Sequence, residues 1–505
     1  MPPRNGLFSS TDLAFRGEGG YPQYRIPALT TSTRGTLIAA YDGRPTMADL
    51  PSHIAMLVRR STDGGRTWST QQVIRSDPAP NGYGDPSLLV DRKTGRIFLF
   101  YASSVNQGYA GSRTGNSDTD PNILHADYSW SDDDGVTWQH RRITSMIKDP
   151  AWGGLFAASG EGIQLQHGRY AGRLVQQYTV RYNGGNYAAS AYSDDHGATW
   201  RMGALAGPGA DENKTVELSD GTVMLNVRAN PYRRVATSSD GGATYSPLQP
   251  DPELVDQGNN GSILRAFPDV AQDDPHSKML LFSNTPDTGI RRNLTVKMSC
   301  DNGETWPIQR VVDPGSAGYS TMSRLPDGSI GMLYERFGYQ HMTFAHFDLK
   351  WLGGVCAPLS IAPPTAYRAG TAGELAVHIV NQGMKATDAG KLALEVPEGW
   401  QTTPVEVPAI PAGEAVDVKV AFTSSDVAVG NVPVTASYQV SGTRSVGTTT
   451  IAVTADPVAP EHSGLSVLPV LDNIAVGGRP GLLDDVLTYG PGSRTPGTPS
   501  SRTSR

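Results

Sequence analysis

The sequence predicts an all-β chain: a six-bladed β-propeller with Asp-box repeats, followed by an immunoglobulin-like β-sandwich. Three observations predict it. Glycine (57) and proline (37) are abundant among the 505 residues, and no long stretch carries the 3.6-residue apolar period of a helix bundle. A short turn pattern recurs five times, and a turn followed by an apolar strand recurs six times. Self-similarity of this kind decides an architecture before any residue has a role.

The turn pattern reads Ser-x-Asp-x-Gly-x-Thr-aromatic. It occurs as STDGGRTW at 61–68, SDDDGVTW at 131–138, SDDHGATW at 193–200, SSDGGATY at 238–245 and SCDNGETW at 299–306. This is the chemistry of a β-turn between strands: Asp and Ser bond to nearby backbone, Gly adopts positive φ, and the aromatic anchors the turn on the sheet. The box aspartates are therefore read as structural. The second repeat runs GTLIAAYD from Gly35, GRIFLFYAS from Gly95, GRYAGRLVQQYTV from Gly168, GTVMLNVR from Gly221, SKMLLFSNT from Ser277 and GSIGMLYER from Gly328. A spacing of roughly 50 to 75 residues suits one four-stranded sheet with its loops, repeated radially. Residues 1–356 are assigned to the propeller.

Residues 357–456 change texture to short alternating strands, ELAVHIV, KLALEV, AVDVKVAF, VPVTASYQV and TTTIAVTA, separated by Gly, Pro and Asn turns. They read as the sandwich. Residues 457–505 are rich in Pro, Gly, Ser and Thr. Too little apolar surface is left there to bury, and the tail is expected to be largely disordered.

A net charge of -7 with no run of Lys or Arg excludes nucleic acid as a partner, while leaving room for a small anion bound locally. No apolar stretch approaches the roughly 20 residues that span a bilayer, so no membrane partner is expected. The first residues, MPPRNGLFSSTDL, lack the apolar core of a secretory signal; taken literally, the chain starts mature or stays in the cytoplasm. Two cysteines, Cys300 and Cys356, cannot form a disulfide framework, and either pair or remain buried thiols. The ten histidines show no ligand spacing, so neither a metal nor another cofactor is expected. A closed propeller leaves no strong need for a second chain, so a monomer is expected.

The pairing of YRIPAL, which contains Arg25, with five such boxes resembles the bacterial and animal sialidase family over residues 7–358. In overall plan the chain is similar to secreted actinobacterial sialidases that carry an immunoglobulin-like module behind the propeller. The resemblance implies an exo-α-sialidase, a glycoside hydrolase acting outside the cell on terminal sialic acid of glycoconjugates, with the sandwich as a spacer or carbohydrate-associated module. Non-enzymatic propellers use the same boxes, so activity must be argued from the site.

Sialic acid bears a carboxylate on its anomeric carbon, and planar guanidinium forks match a carboxylate best. The resemblance places the family's three substrate-binding arginines at Arg25, at Arg233 in YRRVATSSDGG and at Arg291 in GIRRNLTVKMSCDNG. Strand alternation then sends their neighbours Arg234 and Arg292 to the opposite face. Glu335, in MLYER, matches the carboxylate that orients Arg25.

A carboxylate nucleophile approaching this centre would meet like charge, and sialidases are the glycosidases that use a tyrosine instead. The matching residue is Tyr319 in PGSAGYSTMSRLPDG, with Glu217 in NKTVELSDGTVML as the base that takes its proton. Asp49, on the loop DGRPTMADLPSHIAM, matches the general acid and base. Arg44, on the same loop, and Asp85, in NGYGDPSLL, resemble groups that contact the sugar 4-hydroxyl. Together they imply retention through a covalent sialyl-tyrosine. A trans-sialidase would use the same residues but needs an aromatic acceptor platform, which no residue here marks, so hydrolysis is favoured; a glycan-binding propeller would keep only the boxes, and the joint presence of Tyr319, Glu217 and Asp49 argues against it.

Overall fold

Each of the six apolar repeats forms the second strand of an antiparallel meander in a computed structural model of the chain. The structure describes residues 6–454 apart from 273–274, 307, 353–358, 363, 365–366, 382–385, 412, 425–429 and 441–442. The expected disorder of 457–505 falls outside these residues. Helix is confined, among them, to Thr144–Ile147, Leu349–Leu352 and two short 3-10 segments.

The first sheet runs Gln23–Thr31, Leu37–Arg44, Ala55–Ser61, Gln72–Arg75 in order. Similar meanders start at Gly82–Val90, Leu155–Ala157 and Asn213–Glu217. A seven-stranded sheet supplies the rest. Its long strand Ile308–Arg324 pairs through its first half with Arg292–Ser299 and through its second half with Ile330–Arg336. That strand ends one four-stranded ladder and begins another. The second ladder is completed by the N-terminal strand Phe8–Phe15, which pairs with His341–Phe347.

Alternation explains how the sheets stack. On Leu37–Arg44, the side chains of Leu37, Ala39 and Tyr41 pack with Leu333 and Phe344 of the last ladder. Ile38 and Ala40, facing the other way, pack with Leu88, Leu99 and Tyr101 of the second sheet. A strand covered on both faces reads as a continuous apolar run, which is why these segments stood out in the sequence.

All five boxes close in one way. In the second, Asp133 accepts from the Thr137 hydroxyl (2.6 Å), the Thr137 amide (2.8 Å) and the Ser131 hydroxyl (2.8 Å), while Gly135 N donates to Ser131 Oγ at 2.8 Å. Gly135 sits at φ 80°, where a side chain would be strained. These bonds hold the Asp133 carboxyl down at about 2, led by the Thr137 hydroxyl.

The C-terminal module is two antiparallel-dominated sheets, one built on Ala372–Val380 and Ala415–Thr423, the other on Gly390–Glu395, Gly430–Val440 and Thr443–Thr454. Between them lie Leu375, Val377, Val420, Tyr438 and Ile451, with Trp400 stacked on Phe422 at 5.4 Å.

Candidate active site

The first strands of the ladders begin at one common mouth, and irregular backbone there aims side chains inward. The pairing of Gln23–Thr31 shifts register between Arg25 and Ala28, with Ile26 at φ 60°. Gly82–Val90 shifts between Gly84 and Ser87, with Asp85 at φ 62°. The second half of Ile308–Arg324 shifts between Ala317 and Ser320. A β-branched residue and an aspartate held in the left-handed region are strained, and bulges of this kind re-aim side chains beside functional sites.

Glu335, on Ile330–Arg336 and wholly buried, ties two of these irregular segments together. Its Oε1 accepts from Arg25 Nε (2.7 Å) and the Ile26 amide (2.8 Å), and its Oε2 from the Tyr319 amide (2.9 Å). Burial works against the Arg25 charge, but Glu335 outweighs it and holds the guanidinium above its ordinary pKa. Gly318 has no room for a side chain: a Cβ there would run into Glu335 Oε2 and sit 2.7 Å from the Tyr339 ring.

Around the Tyr319 ring stand three guanidinium groups, those of Arg291, Arg25 and Arg228, at 5.1, 5.4 and 5.9 Å from its centroid. Arg291 is oriented by Tyr339 Oη (3.0 Å) and Gly258 O (2.9 Å). Arg228 Nη1 donates both to Tyr319 Oη (2.7 Å) and to Glu212 Oε2 (2.6 Å). The phenol and this carboxylate thus lie no further apart than those two bonds laid end to end. Burial raises the Tyr319 pKa well above 10; the Glu212 charge adds to the rise and the three arginines oppose it.

A second group of charges flanks the first. Arg44 is buried and donates to Asp42 Oδ2 (2.7 Å) and Asp49 Oδ1 (2.7 Å). The Asp49 side chain is 79% exposed, so it is open to an incoming ligand. Burial pushes Asp42 up to about 6 against the pull of Arg44, and pushes Asp85 well above the carboxylate range with the Asp42 charge assisting.

The structure gathers Arg25, Arg44, Asp49, Asp85, Arg291, Tyr319 and Glu335 in this region. It places Arg233 and Glu217 elsewhere. Arg233 does turn inward, but it is wholly buried against Asp256 (2.7 Å), Asn226 (2.7 Å) and Asn259 O (2.6 Å), a structural ion pair. Glu217 sits at the far end of Asn213–Glu217 and accepts from the Gln166 and His167 amides at 2.8 and 2.9 Å. The groups beside Tyr319 are instead Arg228 and Glu212, which the sequence reading missed. The signal for Glu212 was its place just before that strand begins, matching Arg25 at the start of its own strand.

The fold is that of a β-propeller protein with three guanidinium groups gathered around one buried tyrosine. Residues 35–332 match the BNR repeat-like domain, and 367–441 match the NPCBM-associated, NEW3 domain of alpha-galactosidase. A sialidase of Micromonospora viridifaciens is 50% identical over 82% of this chain and 65% of its own length. A Bacteroides fragilis sialidase is 34% identical over 68% of this chain and 66% of its own. The solved structure of the Hadza microbial sialidase Hz136 aligns with a TM-score of 0.62 at 33% identity, covering 68% of each chain. The chain belongs to the sialidase family through its BNR repeat-like domain. It spans just under two thirds of the length of the two curated relatives. Among the described residues, no helix is long and apolar enough to cross a membrane, and no His, Cys, Asp and Glu cluster could hold a metal ion. Cys300 is disulfide-bonded; the other cysteine, Cys356, lies outside the described residues.

Proposed function

We propose that the protein is an exo-α-sialidase that hydrolyses terminal α-linked sialic acid from glycoconjugates, with retention, through a covalent sialyl-tyrosine. The observation that carries this reading is the Tyr319 phenol, bonded to Arg228 at 2.7 Å and ringed by three arginines. A buried tyrosine surrounded by cations suits neutral attack on a carbon that already bears a carboxylate. Substrate is held by Arg25, Arg228 and Arg291 at its carboxylate, and by Arg44 and Asp85 near the 4-hydroxyl.

In the first step Tyr319 Oη bonds to the anomeric carbon while the glycosidic C–O bond breaks. Asp49 gives its proton to the departing oxygen, and the phenol proton passes to Glu212, which takes the role the sequence gave to Glu217. In the second step water attacks the same carbon, Asp49 accepts its proton, and the glycosidic bond from that carbon to Tyr319 Oη breaks with return of the proton from Glu212. Two inversions leave the configuration unchanged. The high pKa of Tyr319 keeps the phenol protonated until Glu212 acts, and the arginines lower the cost of its developing charge.

We assign residues 1–356 to the catalytic propeller and 357–456 to a spacer sandwich, and take the protein to act as a monomer outside the cell. The disulfide at Cys300 supports an oxidising compartment. Proton NMR of sialyllactose hydrolysis tests the mechanism. The α anomer of free sialic acid should appear first and mutarotate afterwards; first appearance of the β anomer would contradict the double displacement.

A further inference from the structure

At the far ends of the innermost strands, away from Tyr319, lies a second cavity of about 340 Å³. Thr31, Gln164, Glu217, Arg265 and Arg324 line it where their strands terminate. Arg265 is the unusual member. Its side chain is only 5% exposed and comes no closer than 4.0 Å to Glu217. It donates Nη1 to His167 Nε2 at 2.8 Å, while its Nε and Nη2 have no partner among the described residues. A guanidinium carries five N–H donors and no acceptor, and burying them unbonded is unfavourable. Arg324 reaches Asp269 through Nη1 at 3.4 Å and likewise leaves its buried Nε unpaired. The Glu217 carboxylate forms only a loose ion pair with Arg265 Nη1 at 4.0 Å, beyond hydrogen-bond reach, so it leaves Nε and Nη2 unbonded.

We propose that this cavity is a second ligand site, binding one small oxyanion, a carboxylate or a phosphate group, through Arg265 and Arg324. The carboxylates of Glu161, Glu217 and Asp269 on the same wall limit it to a single anionic group and exclude a polyanion. None of these residues belongs to the proposed catalytic set, so the inference stands or falls independently of the hydrolytic reading.

The test is thermal unfolding of the full chain titrated separately with inorganic phosphate and with acetate, ionic strength held constant with chloride. A ligand that binds only the folded state raises Tm in a saturable way. Wild type and Arg291→Ala, which lacks a cation of the Tyr319 pocket, should show the same saturable rise with at least one anion. The anion giving the larger rise identifies the group. Arg265→Gln and Arg324→Gln should lose the rise while keeping wild-type turnover; if Arg265→Gln does not fold, Arg324→Gln decides alone. Absence of a saturable rise in wild type, or a rise that disappears in Arg291→Ala and persists in the Arg324 variant, would overturn the proposal.

Discussion

Glu212 stands just before the strand Asn213–Glu217 and Glu217 at its end, and five steps of about 3.3 Å each separate them by roughly 16 Å. Their substitution therefore separates a chemical role from a structural one. Glu212→Gln is expected to lose about 10²- to 10⁴-fold in kcat with the fold intact, the scale of a general base. Glu217→Gln should retain kcat within about twofold, as substitutions remote from the chemistry do; equal losses in both would refute the assignment. Arg233→Ala should leave Asp256 buried without its partner and cost about 3–5 kcal/mol in urea unfolding; a variant as stable as wild type would contradict this structural role. Asp42 gives a pH signature. Because burial raises its folded pKa to about 6, its contribution is fully present below the unfolded value near 3.9 and is lost as pH rises through about 6. The stability of wild type relative to Asp42→Asn should fall across that window.

At the scale of the element, the boxes were legible because their bonds are local: Asp301 accepts from Ser299 Oγ, Thr305 N and Thr305 Oγ1 at 2.7, 2.9 and 2.6 Å, all within four residues. Asp301→Ala should cost about 2–3 kcal/mol, the loss of such bonds, with KM unchanged; a changed KM would place the turn in the site. The active site was less legible. Arg25, Tyr319 and Glu335 are embedded in long distinctive segments, whereas Glu212 and Arg228 sit in the plain stretches GADENKT and NVRAN. The resemblance placed a substrate-binding arginine at Arg233, and an Arg233 turned inward by strand alternation met Asp256 instead of Tyr319. Strand direction was the overlooked constraint. Glu217 lies two residues before the turn at Ser219, Asp220 and Gly221, so it belongs to the end of its strand, while Arg25 belongs to the beginning of its own.

For the whole molecule, the decisive contact joins residues more than 300 positions apart. The strand Phe8–Phe15 pairs with His341–Phe347, and Asp12 bonds His341 and Thr343 across that seam at 2.8 and 2.6 Å. No local pattern marks this closure, and the first strand went unrecognised as part of the last ladder. Removing residues up to 15 would leave His341–Phe347 as an unpaired edge, and the account expects a sharply lowered Tm with aggregation; an unchanged Tm would show that closure adds nothing to stability. The proposed chemistry also depends on this seam, since Glu335 on the adjoining strand holds both Arg25 and Tyr319. The measurement that tests the central claim most directly is release of a fluorogenic aglycone from an α-linked sialic acid conjugate by wild type and Tyr319→Phe. The account predicts robust wild-type turnover that is largely lost in the folded variant. A folded wild type that releases no aglycone would contradict it.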